Sequence, residues 1–182
     1  MLGISSGLMY GGGPLCTTAL VYSYESDFTS NADGWVEDSV QGNLTLSFNQ
    51  DIPGGSGGGW MKGVYDTEQT SASGIIKEDV YTSVSASEYS VVTFKLYIDS
   101  ENWPAVSHIG MSFYGVSGAV QTGLNHPDVP VDQEFNVTLN DAGPYLATLE
   151  DLIFSFMVGN NHPLADAEWY IKDIDVKIYL CA

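Results

Sequence analysis

Apolar and polar residues alternate with a period of two over much of this chain, and that period predicts strands. The clearest run is 91–98, VVTFKLYI, in which Val92, Phe94, Leu96 and Ile98 share one face. In 43–49, Leu44, Leu46 and Phe48 alternate with Thr45 and Ser47. Phe135, Val137 and Leu139 alternate in the same way. In the closing run 169–180, Tyr170, Ile174, Val176 and Ile178 are spaced by multiples of two. Further strands are expected at 19–25, 35–36, 60–65, 80–84, 106–114 and 152–158. Turn residues separate these segments, among them Ala32-Asp33-Gly34 and the glycine-rich run 54–59, GGSGGG, read as a flexible loop. No segment carries the 3.6-residue period of an amphipathic helix. Many short strands punctuated by turns predict an all-β fold, a two-sheet antiparallel jelly-roll sandwich.

Residues 1–17 break this pattern. Leu2, Ile4, Leu8, Met9, Tyr10 and Leu15 lie there among glycines and serines without strand or helix period, and the first charged residue is Glu25. A solvated tail would be polar and charged, so this apolar segment is expected to be an extended arm that docks on a surface. A neighbouring subunit is the first expectation for that surface, and the arm's own sandwich is the second. The division is therefore an arm over 1–17 and one sandwich domain over 18–182, a length that suits a single domain. The start of the chain lacks a positive n-region, and its glycines and Pro14 interrupt the apolar run, so no signal peptide is expected.

Charge narrows the partners. The 182 residues include 23 Asp and Glu against 5 Lys and Arg, a formal net charge of −18. Such a surface repels phosphate backbones and anionic lipid, which argues against nucleic acid and membrane as partners, and it keeps the protein dispersed. No run approaches the ~20 apolar residues of a spanning helix. The two cysteines, Cys16 and Cys181, are too few for a disulfide framework, and one bridge or two thiols remain open readings.

Candidate chemistry is sparse. There is no Gly-x-Ser-x-Gly elbow, neither cysteine has a histidine beside it, and the glycine run is not followed by Lys-Ser or Lys-Thr. Carboxylates are plentiful, but sandwich and arm leave little chain for an active-site scaffold, so a non-catalytic protein is expected. His126 and His162 sit in Asn-His-Pro contexts that read as turns, and His108 has no partner at metal-ligand spacing. Sugar recognition requires exposed rings that stack on the apolar face of a pyranose. Trp60, after the glycine run, and Trp103, in the loop-like stretch 99–104, are the candidates, with Tyr65 and Tyr114 as helpers. The competing reading of Trp60 is a strand start packed inward. Trp35 and Trp169 fall at core positions.

The order of features is familiar: Phe28 after the first strand, Gly34-Trp35, the alternating 44–48, the long apolar 91–98, the Phe-Val strand 135–139, and the closing Trp169-Tyr170-Ile171-Lys172-Asp173-Ile174. It resembles carbohydrate-binding modules with the galactose-binding-like jelly roll, over roughly residues 20–180. Members of that group with a structural calcium carry acids where this chain has Thr29 and Lys172. The resemblance thus implies loss of the usual calcium site, with Asp27, Asp33, Asp173 and Asp175 left as the acids for a shifted one. Otherwise no cofactor is expected. The N-terminal MLGISSGLMYGGGP resembles the starts of small structural proteins of marine tailed phages. That likeness implies a virion protein made in the host cytoplasm, a capsid decoration or a head or tail fibre component. Its expected partners are other virion proteins, copies of itself and host glycans. The alternative is a free carbohydrate-binding module using loop tryptophans.

Overall fold

The computed structural model describes residues 19–37, 44–67, 73–77, 88–101, 108–115, 118–125, 130–141, 151–157 and 164–180. Eleven strands run through them: β1 Ala19–Ser26, β2 Val36–Glu37, β3 Leu44–Gln50, β4 Trp60–Tyr65, β5 Ser73–Lys77, β6 Glu88–Ile98, β7 His108–Gly115, β8 Gly118–Asn125, β9 Phe135–Asp141, β10 Asp151–Met157 and β11 Glu168–Leu180. They form two antiparallel sheets. The six-stranded sheet has the order β3-β4-β11-β6-β9, with β1 also paired to β11, and the five-stranded sheet has the order β2-β5-β10-β7-β8. This is the expected all-β sandwich. β5 and β8 were not foreseen. The strand expected at 80–84, the arm 1–17, Cys16, Cys181, Trp103, His126 and His162 lie outside the described residues.

β11 organises the larger sheet. β6 pairs with it from Trp169↔Ile98 to Leu180↔Glu88. On its other side β4 takes the first part, Glu168 to Ile171, and β1 takes the rest, Ile174 to Leu180. Between these two partners the strand carries a bulge against β6, between Lys172 and Asp175, with Asp173 at φ 53°. A bulge inserts one residue and shifts the side-chain phase. Trp169 and Ile171 therefore face the core before it, and Ile174, Val176 and Ile178 face the core after it. Tyr170, placed by spacing in line with Ile174, belongs instead to a separate cluster with Trp60 and Tyr97. The spacing argument failed there because it assumed an unbroken period.

The main core joins the two sheets. Val92, Phe94, Leu96 and Ile98 of β6 are all buried, as their alternation predicts, and Ile75 of β5 meets them from the second sheet. Trp35 and Trp169 are core residues, as expected. Each such side chain stabilises the fold by roughly 1.5–3 kcal/mol through burial. The Trp169 indole lies against the backbone of Gly63 on the neighbouring β4, its register partner, where any Cβ would overlap the ring. Only glycine lets the two strands pair with a tryptophan between them and the core.

Gly63→Ala is expected to destabilise the protein by about 2–3 kcal/mol through overpacking. Gly54→Ala, where φ is +74° and nothing lies near the added methyl, is expected to cost only about 1 kcal/mol of backbone strain. Urea unfolding of the two variants checks the order.

Candidate functional site

The outer face of the larger sheet collects most of the chain's cations. All five basic residues are lysines. Lys62, Lys95, Lys172 and Lys177 alternate with core residues on β4, β6 and β11, which sends them outward. Each has a partner. Lys62 pairs with Glu168 at 2.6 Å, Lys95 with Asp173 at 2.9 Å and Glu134 at 3.7 Å, and Lys177 with Asp175. Lys172 stands opposite Lys95 in register, and its ammonium donates to the Gly58 carbonyl at 2.9 Å. The same ammonium lies 5.9 Å from the Trp60 ring centroid.

Beneath these lysines Trp60, Tyr97 and Tyr170 form a buried aromatic group, joined by Ile52. Tyr97 and Tyr170 meet edge to face at 5.7 Å. Tyr170 donates a hydrogen bond to Glu168 at 2.6 Å, and the Lys62 ammonium lies over its ring. Burial, reinforced by the Glu168 carboxylate, pushes the Tyr170 phenol well above the ordinary tyrosine value. Trp60 is only 5% exposed and Tyr65 is fully buried in the main core. Neither ring presents the open face that the sequence reading assigned to it. Trp60 starts β4 and is buried in the cluster that Ile52 of the 51–59 loop joins, and Tyr65 alternates inward with Met61 and Gly63.

The glycine-rich loop is tied down rather than loose. Gly58 N–H donates to Asp51 at 2.7 Å, Gly59 N–H donates to Asn49 at 3.0 Å, and Lys172 holds the Gly58 carbonyl. Gly57, Gly58 and Gly59 all have positive φ, which is the reason for the glycine run. Beside this loop, at the outer edge of the sheet, Phe48 is 44% exposed.

The four aspartates considered for calcium do come together. Asp27, Asp33, Asp173 and Asp175 line one groove of about 430 Å³, with Glu25 and Phe28. Each carboxylate has a partner, although Asp175 Oδ1 is buried without one. Asp27 accepts from the Thr29 N–H at 3.0 Å and its hydroxyl at 2.9 Å, which holds its pKa below the ordinary carboxylate value. Asp33 accepts from Tyr24 at 2.8 Å, and Asp173 and Asp175 are paired with lysines. Among the described residues no three acidic, histidine or cysteine side chains are placed to hold a metal ion. A second acidic groove, about 350 Å³, lies between Asp99, Glu101, Asp166 and Glu168.

Of the remaining sugar-site expectations, Trp103 lies outside the described residues. Tyr114 is placed on β7 by backbone alone, in register with Asp151 and Ala119, and its side chain is not described.

Neither a protein-family model nor a curated protein matches the sequence. Solved structures do match. The CBM22-1 xylan-binding domain of Paenibacillus barcinonensis Xyn10C superposes with TM-score 0.57 at 13% identity, covering 90% of this chain and 97% of that one. A cyclase from Fischerella sp. TAU gives 0.55 at 9% identity, covering 88% and 100%. The enzymatically active domain of tailspike protein 4 of bacteriophage CBA120 gives 0.57 at 15% identity, covering 85% of this chain and 20% of that chain. At such identities the likeness establishes the fold, the jelly roll of carbohydrate-binding modules, as the order of sequence features indicated.

Tyr170 generates a pH test. Its folded pKa is raised above the ordinary 10.0, so the stability it contributes is present below pH 10 and lost as pH rises beyond it. Tyr170→Phe is expected to flatten the decline of stability above pH 10, read by chemical unfolding at stepped alkaline pH.

Proposed function

We propose that this chain is a non-catalytic, glycan-binding structural protein of a tailed-phage virion. Its jelly roll is displayed outward and its apolar arm, Leu2 to Leu15, docks on another virion protein or on a second copy. The observation that carries the reading is the near-complete overlap of this chain with the xylan-binding domain of Xyn10C. The phage part rests on the arm and is supported by the tailspike match, in which the same fold occupies a fifth of a longer phage chain.

Recognition in this reading uses the smaller sheet, with Tyr114 of β7 as a ring against the sugar. The mechanism is apolar contact between ring and pyranose face, with hydroxyls satisfied by neighbouring polar groups. The arm works by burying six apolar side chains in a partner, which favours assembly through the hydrophobic effect. The acidic surface keeps unassembled copies apart and steers the protein away from polyanions. The cyclase of the same fold supports a second reading, an enzyme with one of the two acidic grooves as its site. The carboxylates of the 430 Å³ groove are largely paired, which favours the binding reading.

Affinity electrophoresis through gels containing soluble xylan, mixed-linkage β-glucan or a bacterial O-polysaccharide tests the glycan part. Retardation in at least one gel, abolished by Tyr114→Ala, is expected, and unretarded migration in all three overturns it. For the arm, light scattering should show assembly of the full chain that is lost in Leu8→Glu/Met9→Glu. Identical monomers would overturn the docking role.

A further inference from the structure

Strand alternation on β3 directs Leu44, Leu46 and Phe48 to one face, and Leu44 and Leu46 do pack on the core. Phe48 does not. It is 44% exposed, so its ring stands open to solvent. The cause is a bulge. Ser47 pairs with Lys62 and Gln50 with Trp60, so three steps on β3 match two on β4. Within it Asn49 has φ 53°, a left-handed conformation that a non-glycine residue adopts only at some cost. An exposed ring on an edge strand is also a liability for aggregation. The fold thus sustains two costs to hold one phenyl group outward.

The ring's support is rigid. Asn49 N–H donates to the Phe28 carbonyl at 3.0 Å, and its side-chain oxygen accepts from Gly59 N–H at 3.0 Å. The Gln50 side-chain amide donates to the Phe48 carbonyl at 2.9 Å. Asp51 fixes the loop behind through Gly58. A bulge that re-aims a side chain, held by hydrogen bonds from its neighbours, is the construction of a preorganised contact point. The two residues that follow, Asn49 and Gln50, are amides, with donors and acceptors near the ring, a chemistry that suits sugar hydroxyls.

We propose that Phe48, followed by Asn49 and Gln50, is a glycan contact site that stacks on the apolar face of a pyranose. It lies at the edge of the six-stranded sheet, apart from Tyr114 on the other sheet. The ligand class is a neutral glycan, since Asp51 and the net charge of −18 oppose a polyanionic one. The inference rests on the glycan-binding reading above and adds a second point of attachment to it. One chain engaged at both places gains avidity on a polymer that spans them.

The test uses the full chain in three forms, wild type, Phe48→Ala and Phe48→Trp, against the same three polysaccharides. Two readouts are calorimetric affinity and the ring resonances of ring-labelled phenylalanine, with Phe48 assigned from Phe48→Ala. Loss of one stacking contact is expected to weaken binding about five- to tenfold, with Phe48→Trp restoring it. The Phe48 resonances are expected to shift on adding the polysaccharide that binds. The ring is exposed, so Phe48→Ala should unfold at the wild-type temperature. Unchanged affinity in Phe48→Ala with unmoved resonances overturns this site and leaves the general reading standing. Failure of the wild type to bind any of the three overturns both. A change in molar mass of Phe48→Ala by light scattering, without a change in affinity, overturns it in favour of contact between copies.

Discussion

The sandwich depends on one strand, β11, being paired along both edges. Its first residues are shared with β4, its later ones with β1, and its whole length with β6. Backbone hydrogen bonds are obligatory once buried, so displacing β11 would leave unpaired groups on three neighbours at once. The Trp169 indole seated over Gly63 locks the pairing to one register, because a slip by one residue would drive the ring into a side chain. The main core, the outer aromatic group and the acidic groove all take their positions from this strand.

The lysines show how so acidic a chain spends its few cations. Lys95 and Lys172 face each other across two strands, an unfavourable pairing in isolation. It is tolerated because Asp173 and Glu134 neutralise one and a carbonyl and an indole ring receive the other. The salt bridges are partly exposed, and each contributes at most about 1 kcal/mol. Their larger effect is local. Around β11 the like-charge repulsion that prevails over the rest of the surface is relieved, and the aromatic group beneath can close.

Much of the fold was legible in the sequence. Alternation in 91–98 identified β6 and its buried face, and Trp35 and Trp169 were recognised as core from their place in the strand order. Alternation failed where the strand was interrupted. Tyr170 and Phe48 were both assigned to the wrong face, and both lie beside a bulge. Nothing in the residue types of Lys172-Asp173 or Phe48-Asn49 marks a bulge without the partner strand. The four aspartates line one groove, but their hydrogen-bond partners were invisible to spacing arguments. The glycine run pointed to Trp60 as a sugar-stacking ring, but Trp60 is buried with Tyr97 and Tyr170, while Phe48 on the adjacent strand is exposed. The run itself was misread as loose, since its positive φ values serve a fixed turn held by three hydrogen bonds.

The two bulges carry a consequence for how such a fold diversifies. A substitution changes what a position is, whereas a single inserted residue changes where every later side chain points, until a second irregularity or the strand end resets the phase. The hydrogen-bonded frame on either side is left almost intact. A jelly roll can therefore exchange interior and exterior residues by insertion at an edge, with no rewriting of the core. Descendants that differ by one residue in β3 would present different surfaces while superposing strand for strand.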